Sequence, residues 1–177
     1  MKRIEVVLGG QGGQGIRFAG IVLGQACAES GRQVTSSASY GPEVRGTFIR
    51  SEVIISDEQI TYPLCLLPHY CAVLTQEAYD RLQLEMTPDG MVLLDSDAVT
   101  PAPEAPQRHW SVPILATAAD RGYPNMANMI LVGALCALSG LVDLAALRDA
   151  LPAGKRAINE DALSCGFSLA EELRGTP

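Results

Sequence analysis

The stretch that most constrains how this chain can fold lies at its start, where a short apolar run, residues 4–8, meets a cluster of glycines. Small and apolar residues at helical spacing follow over residues 16–30, so the order is strand, tight turn and helix. Gly10, Gly12 and Gly15 have the spacing of the G-x-G-x-x-G dinucleotide fingerprint. In that motif the glycines allow the turn, the approach of backbone to a phosphate, and close helix packing.

The start of the predicted helix offers N–H groups and a partial positive charge to an anion. Two interpretations stay open at this point. The loop either binds a phosphate, or is a glycine turn kept for packing or for the approach of a partner. The candidate binding residues of the loop are Gly10, Gln11, Gly12, Gly13, Gln14 and Gly15.

The NAD version of this motif requires an acidic residue at the end of the second strand, where it holds the ribose hydroxyls. Residues 36–39 at that point read Ser-Ser-Ala-Ser, and the next acid, Glu43, follows a turn at residues 40–42. We therefore expect the loop not to bind NAD(H).

The length of 177 residues suits one domain over residues 1–177, and the composition, 47% apolar and 19% charged, is sufficient for a hydrophobic core. The net charge of −7 disfavours a nucleic-acid or anionic-membrane partner. No segment is apolar enough over a sufficient length to cross a bilayer. The chain enters a strand within its first few residues, so we expect no signal peptide and a cytoplasmic location.

The thiols and imidazoles do not form a recognisable metal or redox motif. The cysteines are odd in number, spread along the chain and without a C-x-x-C pair, which argues against a disulfide framework, a zinc site or an iron–sulfur cluster; they are Cys27, Cys65, Cys71, Cys136 and Cys165. We predict that they are small buried hydrophobes and that His69 and His109 are structural.

Along the rest of the chain, periodicity and capping residues predict alternating strands and helices. Strands are predicted at residues 33–37, 47–56, 71–74, 91–94 and 109–112, and helices at 16–30, 76–85, 125–139, 144–151 and 157–173. Residues 60–62 are predicted to pair back as a hairpin. Asp95, at the end of a strand, either caps a turn or touches a ligand. The predicted fold class is α/β, a Rossmann-like open, mainly parallel sheet with helices on both faces and an antiparallel edge strand or hairpin.

The strand at residues 47–56 alternates between an apolar face and a mostly polar one. A half-polar strand is typical of a sheet edge or of a surface under a partner. We therefore predict that this strand and its flanking loops face another subunit, and that the isolated chain could use the same surface to form a homodimer.

Several stretches together resemble the gamma subunit, or gamma domain, of the 2-oxoacid:ferredoxin oxidoreductases. They are residues 9–15 (GGQGGQG), 19–20 (AG), 39–46 (SYGPEVRG), 53–56 (VIIS), and Asn128 with 131–135 (LVGAL). The likeness covers nearly the whole chain, and its SYGPE form is most similar to the 2-oxoglutarate and branched-chain 2-oxoacid branch. Thr47 stands where the family usually has a second glycine after Arg45 and Gly46.

The resemblance implies one subunit of an enzyme that decarboxylates a 2-oxoacid on thiamine diphosphate, passes electrons through iron–sulfur clusters to ferredoxin, and transfers the acyl group to coenzyme A (CoA). Thiamine diphosphate and the clusters would belong to partner subunits, and this chain would help complete the CoA end of the site. The family match adds Tyr40, Glu43, Arg45 and Asn128 to the candidate binding residues.

The residues suggest how such a site could work. A glycine loop at a helix start suits the pyrophosphate of CoA and does not need a ribose-binding acid. Arg45 could contact a phosphate or carboxylate through two N–H groups, or could pair with Glu43 or a neighbouring subunit. We find no nucleophile and base pair, so we expect no catalytic residue and no activity in the isolated chain. The alternatives are a stand-alone Rossmann-type oxidoreductase and a non-catalytic assembly subunit.

Overall fold

The structure is a computed structural model that describes residues 3–40 and 47–175. Its strands are β1 (Ile4–Gln11), β2 (Gln33–Tyr40), β3 (Phe48–Ser56), β4 (Tyr70–Val73), β5 (Met91–Asp95) and β6 (Arg108–Val112). Its α-helices are α1 (Ile16–Glu29), α2 (Gln76–Leu82), α3 (Ile114–Asp120), α4 (Ala127–Ser139), α5 (Leu144–Asp149) and α6 (Arg156–Gly175). Short 3₁₀ turns at Gln83–Glu85 and Pro124–Met126 follow α2 and precede α4.

The strands form one sheet in the order β2-β3-β1-β4-β5-β6. β1, β4, β5 and β6 pair in parallel, whereas β3 is antiparallel to both of its neighbours. The predicted fold class, a mainly parallel α/β sheet with an antiparallel part, is therefore confirmed. Because β1, β2, β4, β5 and β6 run in the same direction, their carboxyl ends meet at one edge of the sheet.

Helices cover the two faces of the sheet unequally. On one face, Val6 and Leu8 belong to a large core that also contains buried residues of α1, α3, α4, α5 and α6. On the other face, Val7 belongs to a smaller core with Tyr79 and Leu82 of α2. The alternation along β1 follows from the two-residue period of a strand, which sends neighbouring side chains to opposite faces.

The prediction that β3 lies at the edge of the sheet is wrong, because β2 is the edge strand and β3 lies between β2 and β1. The polar face of β3 is accounted for inside the fold. The Arg50 guanidinium forms ion pairs with Glu52 at 2.7 Å and with Glu85, after α2, at 2.5 Å. The polar residues of this strand therefore do not require a partner subunit over them.

The local signals for helix ends are confirmed. The Thr75 hydroxyl accepts a hydrogen bond from the Ala78 N–H at 3.3 Å, and the Asp143 carboxylate accepts one from the Ala146 N–H at 2.8 Å. Gly140 ends α4 with a φ of 68°. The sequence pattern does not predict α3, a short helix that follows β6 directly.

The predicted hairpin at residues 60–62 is wrong, because residues 57–69, all within the described part of the chain, form no strand. Two side chains near the start of β1 hold this segment instead. Arg3 donates to the carbonyl oxygens of Tyr62 and Leu64, both at 2.6 Å. The Glu5 carboxylate accepts the Leu66 N–H at 2.6 Å and the Leu67 N–H at 2.8 Å.

Glu5 makes the fold sensitive to acid. Burial acts to raise the pKa of its carboxyl, but hydrogen bonds from Leu67, Arg3 and Leu66 outweigh it and hold the pKa below its ordinary value of 4.5. A carboxyl with a lowered pKa in the folded state stabilises the fold above its unfolded pKa. That contribution is lost as pH falls through the folded pKa.

We therefore predict that Glu5→Gln lowers the free energy of unfolding by about 2 kcal/mol at pH 7, because it removes the charge-assisted hydrogen bonds that stabilise a buried carboxylate. The variant should also lose stability less steeply than the parent chain when the pH falls below about 4.5, where an ordinary Glu titrates. Urea unfolding at a series of pH values measures both effects. Parallel pH profiles for the two chains would contradict this role of Glu5.

Candidate functional site

The glycine loop joins β1 to α1 and is closed by its own glutamines. The Gln14 N–H donates to the Gln11 carbonyl at 3.0 Å, and the Gln14 side-chain oxygen accepts the Gln11 N–H at 2.7 Å. Gly13 and Gly15 have φ angles of 99° and 74°, which L side chains rarely adopt. Gln14 therefore shapes the loop, and the backbone requires glycine at residues 13 and 15.

The start of α1 is suited to an anion. Gly15 is the N-cap residue, and no side chain in the described part of the chain caps it. The N–H groups of Ile16 and Arg17 lie in the first turn, where a helix has no internal acceptors. The first turn also contains no acidic residue. The helix start thus presents backbone donors and a positive dipole end at the carboxyl edge of the sheet.

The loop is tied to the beginning of β3. The Gly12 N–H donates to the Thr47 carbonyl at 2.8 Å, and Gln11 lies opposite Phe48 in the sheet. The backbone of Gly12 is therefore approached closely by another backbone segment. That segment belongs to this chain, and it accepts the Gly12 N–H.

The two ends of the described chain on either side of residues 41–46 lie at this same edge, where β2 ends at Tyr40 and β3 begins at Phe48. The structure thus places Tyr40 at the end of β2. Glu43 and Arg45 lie outside the described residues, so their predicted roles stay predictions.

Asn128, in the first turn of α4, is brought to the glycine loop. Its amide nitrogen donates to the Gly15 carbonyl at 3.0 Å, and the residue is 3% exposed. A Cβ at Gly15 would collide with this amide. The third glycine of the motif therefore makes room for α4, whereas in the dinucleotide fingerprint it serves helix–strand packing. Asn128 holds the N-cap residue of α1 in place.

A cavity of about 320 Å³ lies between α1 and the edge strand β2. Its lining combines one cation with small polar residues: Arg17, Ile21, Ser36, Ser37, Ala38 and Ser51. Arg17 is exposed in the first turn of α1, two residues after Gly15. Arg17 is not among the binding residues predicted from the sequence, although its position directly after the glycine loop was the available signal.

The sheet order itself departs from an NAD site. In the dinucleotide fold the second strand lies beside the first, so that its terminal acid faces the ribose. Here β3 separates β2 from β1, and the strand next to the glycine loop runs in the opposite direction.

Asp95 has a structural role. It is fully buried, and its carboxylate accepts the N–H groups of Asp97 at 3.0 Å, Ala98 at 2.8 Å and Leu115 at 2.7 Å. It therefore holds the turn after β5 and the first turn of α3. Of its two predicted roles, the structure shows the turn cap.

The histidines contact other residues of the fold, and three of the five cysteines, Cys27, Cys71 and Cys136, are buried as predicted, whereas Cys65 and Cys165 are partly exposed. The His109 imidazole lies 3.0 Å from the Tyr79 hydroxyl, and a His69 nitrogen accepts the Glu5 N–H at 3.2 Å. Burial raises the pKa of the Cys27 thiol to about 11 and that of Cys71 to about 12, so neither is a thiolate at neutral pH. Within residues 3–40 and 47–175, no three His, Cys, Asp or Glu side chains form a group that could hold a metal ion.

The comparison with known proteins agrees with this architecture. The family model for pyruvate ferredoxin/flavodoxin oxidoreductase matches residues 5–169. The chain belongs to this family. Within the family, it is 37% identical to the 2-oxoglutarate synthase subunit KorC of Methanocaldococcus jannaschii, over 97% of this chain and 96% of that one.

Solved structures of the family have the same fold. The gamma subunit of a keto/oxoacid ferredoxin oxidoreductase from Geobacter sulfurreducens matches with a TM-score of 0.83 and 35% identity, over 96% of this chain and 99% of that chain. A 2-oxoglutarate:ferredoxin oxidoreductase from Magnetococcus marinus, solved with 2-oxoglutarate, CoA and succinyl-CoA, matches with a TM-score of 0.87 and 22% identity, over 97% of this chain and 32% of that chain.

The resemblance to the gamma subunit is therefore confirmed, and the chain is one subunit of a multi-subunit oxidoreductase. The described part of the chain contains no helix of sufficient length and hydrophobicity to cross a membrane.

Proposed function

We propose that this chain is the gamma subunit of a 2-oxoglutarate:ferredoxin oxidoreductase, and that its glycine loop forms part of the CoA site of the assembled enzyme. The substrate follows from the KorC relatives, which are subunits of 2-oxoglutarate synthases. Thiamine diphosphate and the iron–sulfur clusters belong to partner subunits in this proposal. In the described part of this chain, no three His, Cys, Asp or Glu side chains lie close enough together to hold a metal ion.

One observation carries the CoA part of the proposal. The helix start after the glycine loop has backbone N–H groups without internal acceptors and no acid in its first turn, at the carboxyl edge of the sheet. CoA carries a pyrophosphate, which such a helix start stabilises. The Magnetococcus marinus enzyme, which contains the same fold, was solved with CoA bound.

The residues of this chain would act by binding and orientation. The backbone of Gly13, Gly15 and Ile16 would face the pyrophosphate, and the cations Arg17 and Arg45 would neutralise phosphate charge. Gln14 and Asn128 would keep the loop and the N-cap residue in position through the hydrogen bonds described above. CoA, when bound, supplies the thiol that accepts the acyl group.

A second function, assembly without ligand binding, is favoured by one observation. The Gly12 N–H already donates to Thr47, and the Gln14 side chain already binds the Gln11 N–H. Several hydrogen-bonding groups of the loop thus already have partners within the chain, as expected for a turn kept for packing. The cytoplasmic location and a homodimer of the isolated chain remain predictions.

We predict that the purified chain alone does not reduce a viologen dye when supplied with 2-oxoglutarate, thiamine diphosphate and CoA. Adding the cognate partner subunits should restore dye reduction that depends on both 2-oxoglutarate and CoA. The reason is that the thiamine and cluster chemistry resides elsewhere. Turnover by the pure chain would contradict the subunit assignment, and CoA-independent turnover by the full complex would contradict the acyl-transfer reaction.

A further inference from the structure

A compact apolar surface lies far from the glycine loop, beside the amino ends of β1 and β4. Four large side chains within six consecutive residues are exposed: Tyr62 (48%), Leu64 (52%), Leu66 (61%) and Leu67 (58%). We call these four side chains the apolar ridge. Other exposed large hydrophobic residues in the described chain are single residues on other elements, such as Ile158 on α6. Contiguous apolar exposure, unlike scattered exposure, is typical of an interaction surface.

The exposure of the apolar ridge is enforced by the fold. Arg3 holds the carbonyl oxygens of residues 62 and 64, and Glu5 holds the N–H groups of residues 66 and 67. An ion pair of 2.6 Å joins Arg3 to Glu5. The backbone of the ridge is therefore held at four residues by Arg3 and Glu5, while the four large side chains of the ridge stay exposed. A surface that is apolar and pre-ordered is suited to binding, since little entropy is lost on contact.

From this geometry we infer that the apolar ridge is the contact by which this subunit docks into an apolar groove with a basic rim on a different subunit of the oxidoreductase. The inference rests on the proposed function for the identity of that partner. Because the chain is one subunit of a multi-subunit oxidoreductase, it must contact at least one other subunit. In the Magnetococcus marinus enzyme the same fold makes up 32% of a longer chain, so it there occurs joined to further parts of the enzyme.

The charges beside the ridge favour a different chain over a second copy. Glu58 precedes the ridge in the chain and is exposed. Asp89 is also exposed, and its turn lies beside the end of the ridge, because the N–H groups of Thr87 and Met91 donate to the carbonyls of Pro68 and His69. The two nearby cations of the described chain are engaged within it: Arg3 binds Glu5 and the ridge backbone, and the Arg108 guanidinium lies over the Trp110 ring at 5.5 Å. A two-fold dimer through this surface would bring like charges together, in a chain of net charge −7. A partner with Lys or Arg around an apolar groove would complement it.

The test uses the full-length chain and its cognate subunits, with the dissociation constant measured by biolayer interferometry. The double variant Leu66→Ser/Leu67→Ser should bind about a hundredfold more weakly, as expected for central apolar anchors. The control Ile158→Ser, which removes an exposed apolar side chain from α6, should stay within about threefold of the parent chain. The double variant Glu58→Lys/Asp89→Lys should associate more slowly with the partner subunit, and its association rate constant should depend less on salt concentration. All variants should keep the parent thermal midpoint.

Each result decides the question. Equal affinity of the parent and the double leucine variant would overturn the inference, as would a homodimer of the parent chain that the leucine variant abolishes. Failure of the parent chain to bind any cognate subunit would overturn it together with the proposed function. Normal assembly with an unchanged CoA dependence in glycine-loop variants would contradict only the CoA site and would leave the docking surface in place.

Discussion

A Gly166→Ala variant is expected to lose about 3 kcal/mol of unfolding free energy, near the upper end for overpacking in a core. Gly166 of α6 lies against the backbone of α4, and a Cβ there would collide with the Ile130 carbonyl. Gly133 of α4 faces the Leu163 carbonyl of α6 in the same way. Because the obstacle is backbone, no side chain can move aside, and the two helices must separate.

Urea unfolding followed by circular dichroism measures this loss. Gly154→Ala is the matched control, because a Cβ at Gly154 meets no atom within 4 Å. It should change the unfolding free energy by less than about 0.5 kcal/mol. Equal stability of the Gly166→Ala and Gly154→Ala chains would show that α4 and α6 do not cross in close backbone contact.

Replacing Gly12 by valine is expected to raise the Michaelis constant for CoA in the reconstituted enzyme by about ten- to a hundredfold, with little change for 2-oxoglutarate. A branched side chain at residue 12 is expected to hinder the approach of a phosphate to the neighbouring N–H groups of Gly13, Gly15 and Ile16. Losing one of these hydrogen bonds to a charged group would cost roughly 1.5–3 kcal/mol, which corresponds to that factor. Valine retains an N–H, so the bond from residue 12 to the Thr47 carbonyl can persist.

The kinetic result requires that the variant still assembles. Size-exclusion chromatography of the complex and a thermal midpoint close to the parent value provide that check, and Gly154→Val serves as a kinetic control remote from the loop. Arg45→Ala should shift the constant for CoA in the same direction if its guanidinium contacts the ligand. A parent-like CoA dependence in both assembled variants would assign the loop to packing.

Local features of the fold could be predicted from the sequence because their causes are local. The strand, turn and helix at the start follow from apolar periodicity and glycine, and the caps Thr75, Asp143 and Gly140 act within their own helices. The sheet order could not be predicted in this way. The polar face of β3 suggested an edge, but Arg50 is paired with Glu85, 35 residues further along the chain.

The segment after β3 illustrates the same limit. Its turn and apolar residues favoured a hairpin, whereas Arg3 and Glu5, about 60 residues earlier, fix it as an irregular anchored loop. In the candidate site, the glycine spacing was visible in the sequence. The contact of Asn128 with Gly15 spans 113 residues, and only the family resemblance pointed to Asn128.

Isothermal titration calorimetry on the assembled enzyme, with CoA and with pantetheine, which lacks the pyrophosphate and the adenosine, measures directly whether the glycine loop holds the pyrophosphate. If the glycine loop holds the pyrophosphate, Gly12→Val weakens CoA binding by about ten- to a hundredfold and leaves pantetheine binding unchanged, so the preference for CoA shrinks by that factor. If the parent and Gly12→Val complexes bind CoA with the same affinity and the same preference over pantetheine, the loop does not contribute to the CoA site.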